Sequence, residues 1–452
     1  MQTLKVKDNQ ITKKTEYENT IPNLTSKVID KTLEQLEKEG IFVFPELLKE
    51  SDDLTKDQMV LQGYNDRILT GNVMGFIGYD DERLAISSRF GGEKDYFFQY
   101  LLERVLDFPN IIDLKTDADQ EDKLYNYLLF LFPYYLKSAM RKGIFKQYVW
   151  HRYNDSNVKG TIDIKRHIKT NTPFVGKISY NQREFSFDNP LTELIRHTIE
   201  YIKSKPYGNR LLVKVKEEVN LIVSSTQKYE RFDLSRVIEV NIKKPLKHAY
   251  YREYSALQRL CLLILQHRKH RVGTGPKQIY GILFDGAWLW EEYINTLIGK
   301  DFYHPMNKSN MGKHYLFNKG NGPIYPDFIG RDPQSRIVAD AKYKPITNIN
   351  GTNYFQILAY MFRFDAKKGY LLYPETKDQE QTILSLLTGT IYENNVAPRD
   401  ENICVIKHGL TIPKETEKYS DFKDEIKNKE QEFLNYLESK GINSIKEKHI
   451  EK

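Results

Sequence analysis

The sequence predicts a multidomain α+β protein whose C-terminal part is an α/β domain with a mixed sheet flanked by helices. Three observations predict this. The chain has 452 residues, 40% of them hydrophobic and 29% charged, enough to bury two or three cores and unlike a disordered tail. Residues 249–412 alternate helix-like and strand-like runs, the order of an α/β layer. Upstream, β-rich runs with Gly and Asn turns mix with helical runs in no regular alternation.

Residues 1–30 are polar and are expected to be weakly ordered. IDKTLEQLEKEG reads as an amphipathic helix that Gly40 terminates, and IFVFP as a strand. VMGFIGY and RLAISSRF flank a DDE turn and read as a hairpin. In EKDYFFQYLLERVLDF, the spacing of Tyr96, Phe97, Tyr100, Leu101 and Val105 predicts a helix, and a second helix covers 120–140. Between 148 and 190 the runs VWHRYNDSNVKGTIDIKRHI and TPFVGKISYNQREFSF read as short strands. DNPLTELIRHTIEYIKSK then opens a helix, with Asp188 or Asn189 as N-cap and Pro190 in its first position. Past 413, Phe422, Ile426, Phe433 and Leu437 form the stripe of a packed terminal helix. The divisions expected are 1–145, an α+β region for binding a partner or DNA; 146–248, strands then helices; 249–412, the α/β domain; and 413–452, a charged helical tail.

Net charge is +7, a mild bias that permits a phosphate-binding surface without requiring one. Cys261 and Cys404 stand far apart with no CxxC, which argues against a disulfide framework or a structural zinc site and for core thiols in a reducing compartment. The N-terminus lacks an apolar leader, and the longest apolar run, Leu260–Leu265, is far too short to span a bilayer. A cytoplasmic protein without membrane contact is expected.

The stretch that carries chemistry is IYPDFIGRDPQSRIVADAKYKP, residues 324–345. Two strand-like runs flank DPQS, which has strong turn chemistry. A hairpin centred between Pro333 and Gln334 sets Asp327 opposite Asp340, and alternation puts Lys342 on the face of Asp340. A slip of one residue would separate the acids. Facing carboxylates repel, and a divalent cation removes that cost. Two acids, Mg²⁺ (with Mn²⁺ as substitute) and a lysine suffice for phosphodiester hydrolysis. Upstream, FDGAWLWEEYINTLI reads as a helix carrying two adjacent acids, Glu291 and, as second choice for any role, Glu292, while Trp290, Ile294 and Leu297 face the core. Downstream, Gln356 and Tyr360 in YFQILAYMFRF lie four apart, on one helical face.

This ordered set resembles the PD-(D/E)xK nuclease superfamily, here Pro326-Asp327, then Asp340-Ala341-Lys342, with the QxxxY element of its RecB-like and McrC-like branches. LWEEYI, DAKY, QILAY and VKGTIDIKRHI…REFSFDNPLTELI resemble the McrC family; GNVMGFIGYDDERLAISSRF with KDYFFQYLL resembles the LlaJI-type restriction endonuclease branch. The resemblance implies a C-terminal restriction-endonuclease-like fold and Mg²⁺-dependent cutting of double-stranded DNA. Asp327, Asp340, Glu291 and the Ala341 carbonyl would hold metal, Lys342 would assist the nucleophile, and Gln356 and Tyr360 would orient the site. It implies a McrB-like AAA+ GTPase partner and, for the LlaJI branch, cognate cytosine methyltransferases in the same system. No GxxxxGK[ST] is present, and GTGPK at 273–277 has the wrong spacing, so no nucleotide is expected on this chain. Lys344, which alternation puts on the strand face of Lys342, and the run His267, Arg268, Lys269 and Arg271 are expected to contact DNA phosphates. His304 and His314 are read as structural or surface residues, and Arg89 and Arg183 receive no role. Two rival readings are a stand-alone sequence-specific type II endonuclease and a non-catalytic regulator of the AAA+ partner.

Overall fold

The computed structural model describes residues 2–45, 57–106, 120–270, 279–305, 313–333, 336–378, 381–388, 397–398, 403–414 and 416–437, with only the backbone described for 120–127, 267–270 and 397–398. The chain forms two compact units. One joins residues 1–117 to 277–452, and the other is 118–276.

The first unit contains two mixed sheets. One has five strands in the order Gln2–Lys7, Glu82–Ser87, Val73–Tyr79, Tyr280–Asp285 and Ile41–Phe44. Glu82–Ser87 and Val73–Tyr79 form the expected hairpin, with Tyr79 opposite Glu82. At Gly75, where φ is +137°, a Cβ would lie 2.1 Å from the Ile282 carbonyl, so only glycine lets this strand approach its neighbour. Gly40 ends the helix Leu33–Glu39 in the left-handed conformation, as its position predicts.

The expectation for residues 1–30 is overturned. Gln2–Lys7 pairs parallel with Glu82–Ser87, and two short helices, Lys14–Thr20 and Pro22–Val28, follow. The reason is a stripe hidden in a polar background. Tyr17, Ile21, Leu24 and Val28 recur every three or four residues and are all fully buried.

The second sheet has six strands in the order Phe302–Tyr303, Phe328–Gly330, Ile337–Ala341, Lys368–Glu375, Cys404–Thr411 and Thr382–Ser385. Its three longest strands run parallel, and the outer ones antiparallel. Ile357, Tyr360 and Met361 of the helix Gly351–Arg363 pack on it with Val338, Leu371 and Val405. The terminal helix Tyr419–Leu437 buries Phe422, Ile426, Phe433 and Leu437, the stripe expected.

In the other unit, Gln147–Asp155 pairs antiparallel with Ile178–Ser186, and Thr161–Ile162 adds a short third strand. Asn189, not Asp188, caps the helix Pro190–Lys203, accepting from the Leu191 and Thr192 amides. One strand reading is corrected. IKRHIKT forms the helix Ile164–Thr170, capped by Asp163, and it buries no residue, so it has no apolar stripe to betray it. Tyr148, Trp150 and Phe185 of the strand pair are exposed, so part of the high aromatic content is not core.

Among the described residues no helix is long and apolar enough to cross a membrane. Both cysteines are free and buried.

Candidate active site

The acidic hairpin sets the geometry. Phe328 pairs with Ala339 and Ile329 with Val338, the register that the turn chemistry predicts, although Gln334 and Ser335 themselves lie outside the described residues. One step further along, Asp327 Oδ2 accepts from the Ala341 amide at 2.8 Å. Asp340 is 1% exposed, and Lys342, two residues on, brings its Nζ to 2.6 Å from Asp340 Oδ2. Asp327, Asp340 and Lys342 thus converge on one side of one ribbon.

The helix Gly286–Ile298 presents Glu291 to this ribbon. Asp285 caps it, accepting from the Ala287 amide at 3.0 Å and the Trp288 amide at 3.2 Å. Buried Trp290 anchors it to the sheet by donating from Nε1 to the Leu372 carbonyl at 3.1 Å. That anchor leaves Glu291 buried and near enough for its charge to act on Asp327.

Burial, then the charges of Glu291 and Asp340, push the Asp327 carboxyl well above the usual carboxylate range, and Lys342 offsets only part of this. Neither oxygen of buried Asp340 receives a well-aligned hydrogen bond; its partner is the Lys342 ammonium. Three carboxyls, those of Glu291, Asp327 and Asp340, thus crowd around one lysine, and the repulsion that drives Asp327 toward its protonated form is what a bound cation would relieve. That is the electrostatic signature of a cation site, and the donors are hard oxygens. Among the described residues, no three His, Cys, Asp or Glu side chains are disposed to enclose an ion. Mg²⁺ does not need such a cage, because it keeps several waters and takes one or two carboxylates, here beside the Ala341 carbonyl. The residues fit Mg²⁺ better than a cation that needs a full protein shell.

The helix Gly351–Arg363 braces the segment before Asp327. Gln356 Nε2 donates to Tyr360 Oη at 2.8 Å, and that hydroxyl donates to the Tyr325 carbonyl at 3.0 Å. Burial and the charges of Asp340 and Asp327 push the Tyr360 hydroxyl upward, so it remains a donor.

His304 belongs to the cluster, contrary to its sequence reading. Its Nδ1 is 2.7 Å from the Asp327 carbonyl, and its Nε2 is 3.5 Å from Glu292 and 3.7 Å from Glu291. Its ring stacks on Phe328 with centroids 4.9 Å apart. Burial alone would lower its pKa, but Glu292, Glu291 and the Asp327 carbonyl together raise it. A His twelve and thirteen residues from those two acids gave no periodic signal. His314 is not in the cluster; its ring lies against Phe364.

Lys344 does not continue the strand face of Lys342. The strand ends at Ala341, and the Lys344 amide turns back to the Lys342 carbonyl at 2.8 Å, which stops the alternation. His267, Arg268 and Lys269 lie at the end of the helix Arg252–His270, where side chains are outside the described residues, as are Arg271 and GTGPK entirely. Arg183 lies over the exposed Tyr148 ring, 4.6 Å from its centroid, in the other unit.

A family model described as McrBC 5-methylcytosine restriction system component matches residues 68–374. No curated protein matches the chain. Among solved structures, a half-complex from a tetradecameric assembly of Thermococcus gammatolerans McrB AAA+ hexamers with bound McrC aligns over 94% of this chain and 99% of that one, at 15% identity and TM-score 0.45. A cryo-EM structure of the Thermococcus gammatolerans McrBC complex aligns over 66% and 87%, at 15% identity and TM-score 0.32.

Proposed function

The chain belongs to the family of McrBC 5-methylcytosine restriction system components, and from that premise we propose that it is the McrC-like, DNA-cutting subunit of such a system. On this reading residues 277–412 of the first unit carry a PD-(D/E)xK nuclease, and the reaction is Mg²⁺-dependent hydrolysis of phosphodiester bonds in double-stranded DNA, in the cytoplasm. One observation carries the reading: Asp327, Asp340 and Lys342 converge on one face of an antiparallel hairpin, with Glu291 brought to them by a neighbouring helix.

Asp327, Asp340, Glu291 and the Ala341 carbonyl would hold the ion, and Mn²⁺ would substitute. The chemistry these residues would gain from a bound ion is a more acidic water and a counter-charge for the phosphoryl oxygens. Lys342, steered by Asp340, donates toward the attacking water or the developing negative charge. Gln356 and Tyr360 hold the Tyr325 carbonyl and so set the approach of Asp327. His304 fixes the Asp327 carbonyl from the other side. Lys344 and the cluster from His267 to Arg271 would bind backbone phosphates.

The proposed partner is a McrB-like AAA+ GTPase, which supplies nucleotide hydrolysis. The N-terminal resemblance favours the LlaJI-type branch, in which cytosine methyltransferases belong to the same system. The test is plasmid cleavage by purified chain with Mg²⁺, with and without the neighbouring GTPase and GTP. Cutting should require the partner, and Asp340→Ala should abolish it while leaving partner GTP hydrolysis intact. Full cutting without partner would favour a stand-alone enzyme. Cutting that survives Asp340→Ala would remove the site assignment, and absence of cutting in the wild type would favour a regulator.

A further inference from the structure

After Ala341 the chain leaves the six-stranded sheet. The Lys342 amide still donates to the Leu372 carbonyl at 2.8 Å, and the Lys344 amide turns back to the Lys342 carbonyl. The apex of this tight turn is Tyr343, directly after the lysine of the proposed centre. The apex is held by residues that flank two strands, Val73–Tyr79 and Glu82–Ser87, of the other sheet of the same unit. Arg89 Nη2 donates to the Tyr343 carbonyl, and to Asn72 Oδ1 at 3.1 Å. The hydroxyls of Ser88 and Tyr343 are 2.7 Å apart. The Tyr343 ring meets Phe90 edge-on, centroids 5.1 Å apart, and lies 4.6 Å from the Arg89 guanidinium carbon.

Arg89 is fixed at its other end. Its amide donates to Asp8 Oδ1 at 2.6 Å, and its Nη1 lies 3.4 Å from Asp8 Oδ2. The Tyr343 ring also lies against Gly286, where a Cβ would stand 2.8 Å from Tyr343 Cε1. Gly286 is the first residue of the helix that carries Glu291, and its amide donates to the Asn72 carbonyl at 3.3 Å.

We infer that Arg89 is a positioning residue for the cutting centre: by clamping the Tyr343 turn, and Asn72 beside the start of the Glu291 helix, it fixes where Lys342 points. The inference rests on the nuclease reading above. The plainer account is that Arg89 only balances the buried charge of Asp8. It leaves the second arm unexplained, since Nη1 faces Asp8 while Nη2 serves Tyr343 and Asn72. A lysine could answer Asp8 but lacks the fork needed to serve both sides.

The test uses the full chain with Arg89→Lys, which keeps the charge beside Asp8, and Gly286→Ala, which displaces the Tyr343 ring from the opposite side. Hydrogen exchange across residues 342–346, thermal melting, and kcat and KM for DNA cleavage with the GTPase partner are measured together. In both variants, exchange at 342–346 should quicken at least tenfold while the rest of the first unit keeps its protection. The kcat should fall tenfold or more, with KM for DNA within twofold. Unchanged exchange and kcat in Arg89→Lys would overturn the inference. So would a loss of kcat that only tracks lowered melting and uniformly faster exchange. A wild-type chain that does not cut refutes the nuclease reading itself, whereas a wild type that cuts beside a fully active Arg89→Lys refutes only the clamp.

Discussion

Tyr360→Phe isolates the brace behind Asp327. The ring stays in its packed position, with Tyr360 only 2% exposed, and just the hydroxyl is lost. Two hydrogen bonds go with it, the one from Gln356 and the one to the Tyr325 carbonyl. Gln356 is half-buried and can turn its amide to water, so the cost is that of one unsatisfied carbonyl, about 1–3 kcal/mol. In a unit of this size each kcal/mol lowers the melting temperature by about 2–4 °C, so a fall of roughly 2–12 °C is expected without metal. Tyr325 lies two residues before Asp327, and losing a support of this kind weakens metal affinity by about 10- to 100-fold. Thermal melting in EDTA and a Mn²⁺ titration read the two effects separately. A lowered melting temperature with unchanged Mn²⁺ affinity would refute the reasoning and leave Tyr360 a core residue.

Three further outcomes follow from the same geometry. Lys342→Met should lower kcat by about 10²–10³, the effect of removing one donor to developing charge, and stopped-flow cleavage checks it. His304→Ala removes the contact to the Asp327 carbonyl and should weaken Mg²⁺ activation by about tenfold, read as the Mg²⁺ concentration for half-maximal cutting. Burial pushes the Asp8 carboxyl from 3.8 up to about 6 despite Arg89. Because the folded value is raised, its stabilising contribution is complete below pH 4 and is lost as pH rises through 6, on the order of 3 kcal/mol in all. Urea unfolding of Asp8→Asn between pH 4 and pH 7 should show a flatter profile than wild type; an equally steep one contradicts the assignment.

The hairpin was legible because two independent signals agree. Strand alternation and the turn preference of Asp-Pro-Gln-Ser both specify the register that sets Phe328 opposite Ala339. Gln356 and Tyr360 were legible because one helical turn separates them, and they do bond. Glu291 was legible only by resemblance, since nothing local distinguishes it from Glu292. What escaped is what tertiary contact creates. His304 reaches the acids because its strand edge returns beside the helix, a proximity with no sequence period. Arg89 meets Tyr343 across 254 positions, so neither segment alone hints at the pair. The N-terminal strand escaped because it draws its partners from Glu82–Ser87, while its own composition is polar. Lys344 was misplaced because alternation was extended beyond the last residue of the strand.

The most direct measurement is a crystal of the full chain soaked in Mn²⁺, with anomalous scattering recorded at the manganese edge. A peak is expected within bonding distance of carboxylate oxygens of both Asp327 and Asp340, lost in Asp340→Ala. A clean map with no peak there, or a peak that persists at that position in Asp340→Ala, would contradict that expectation.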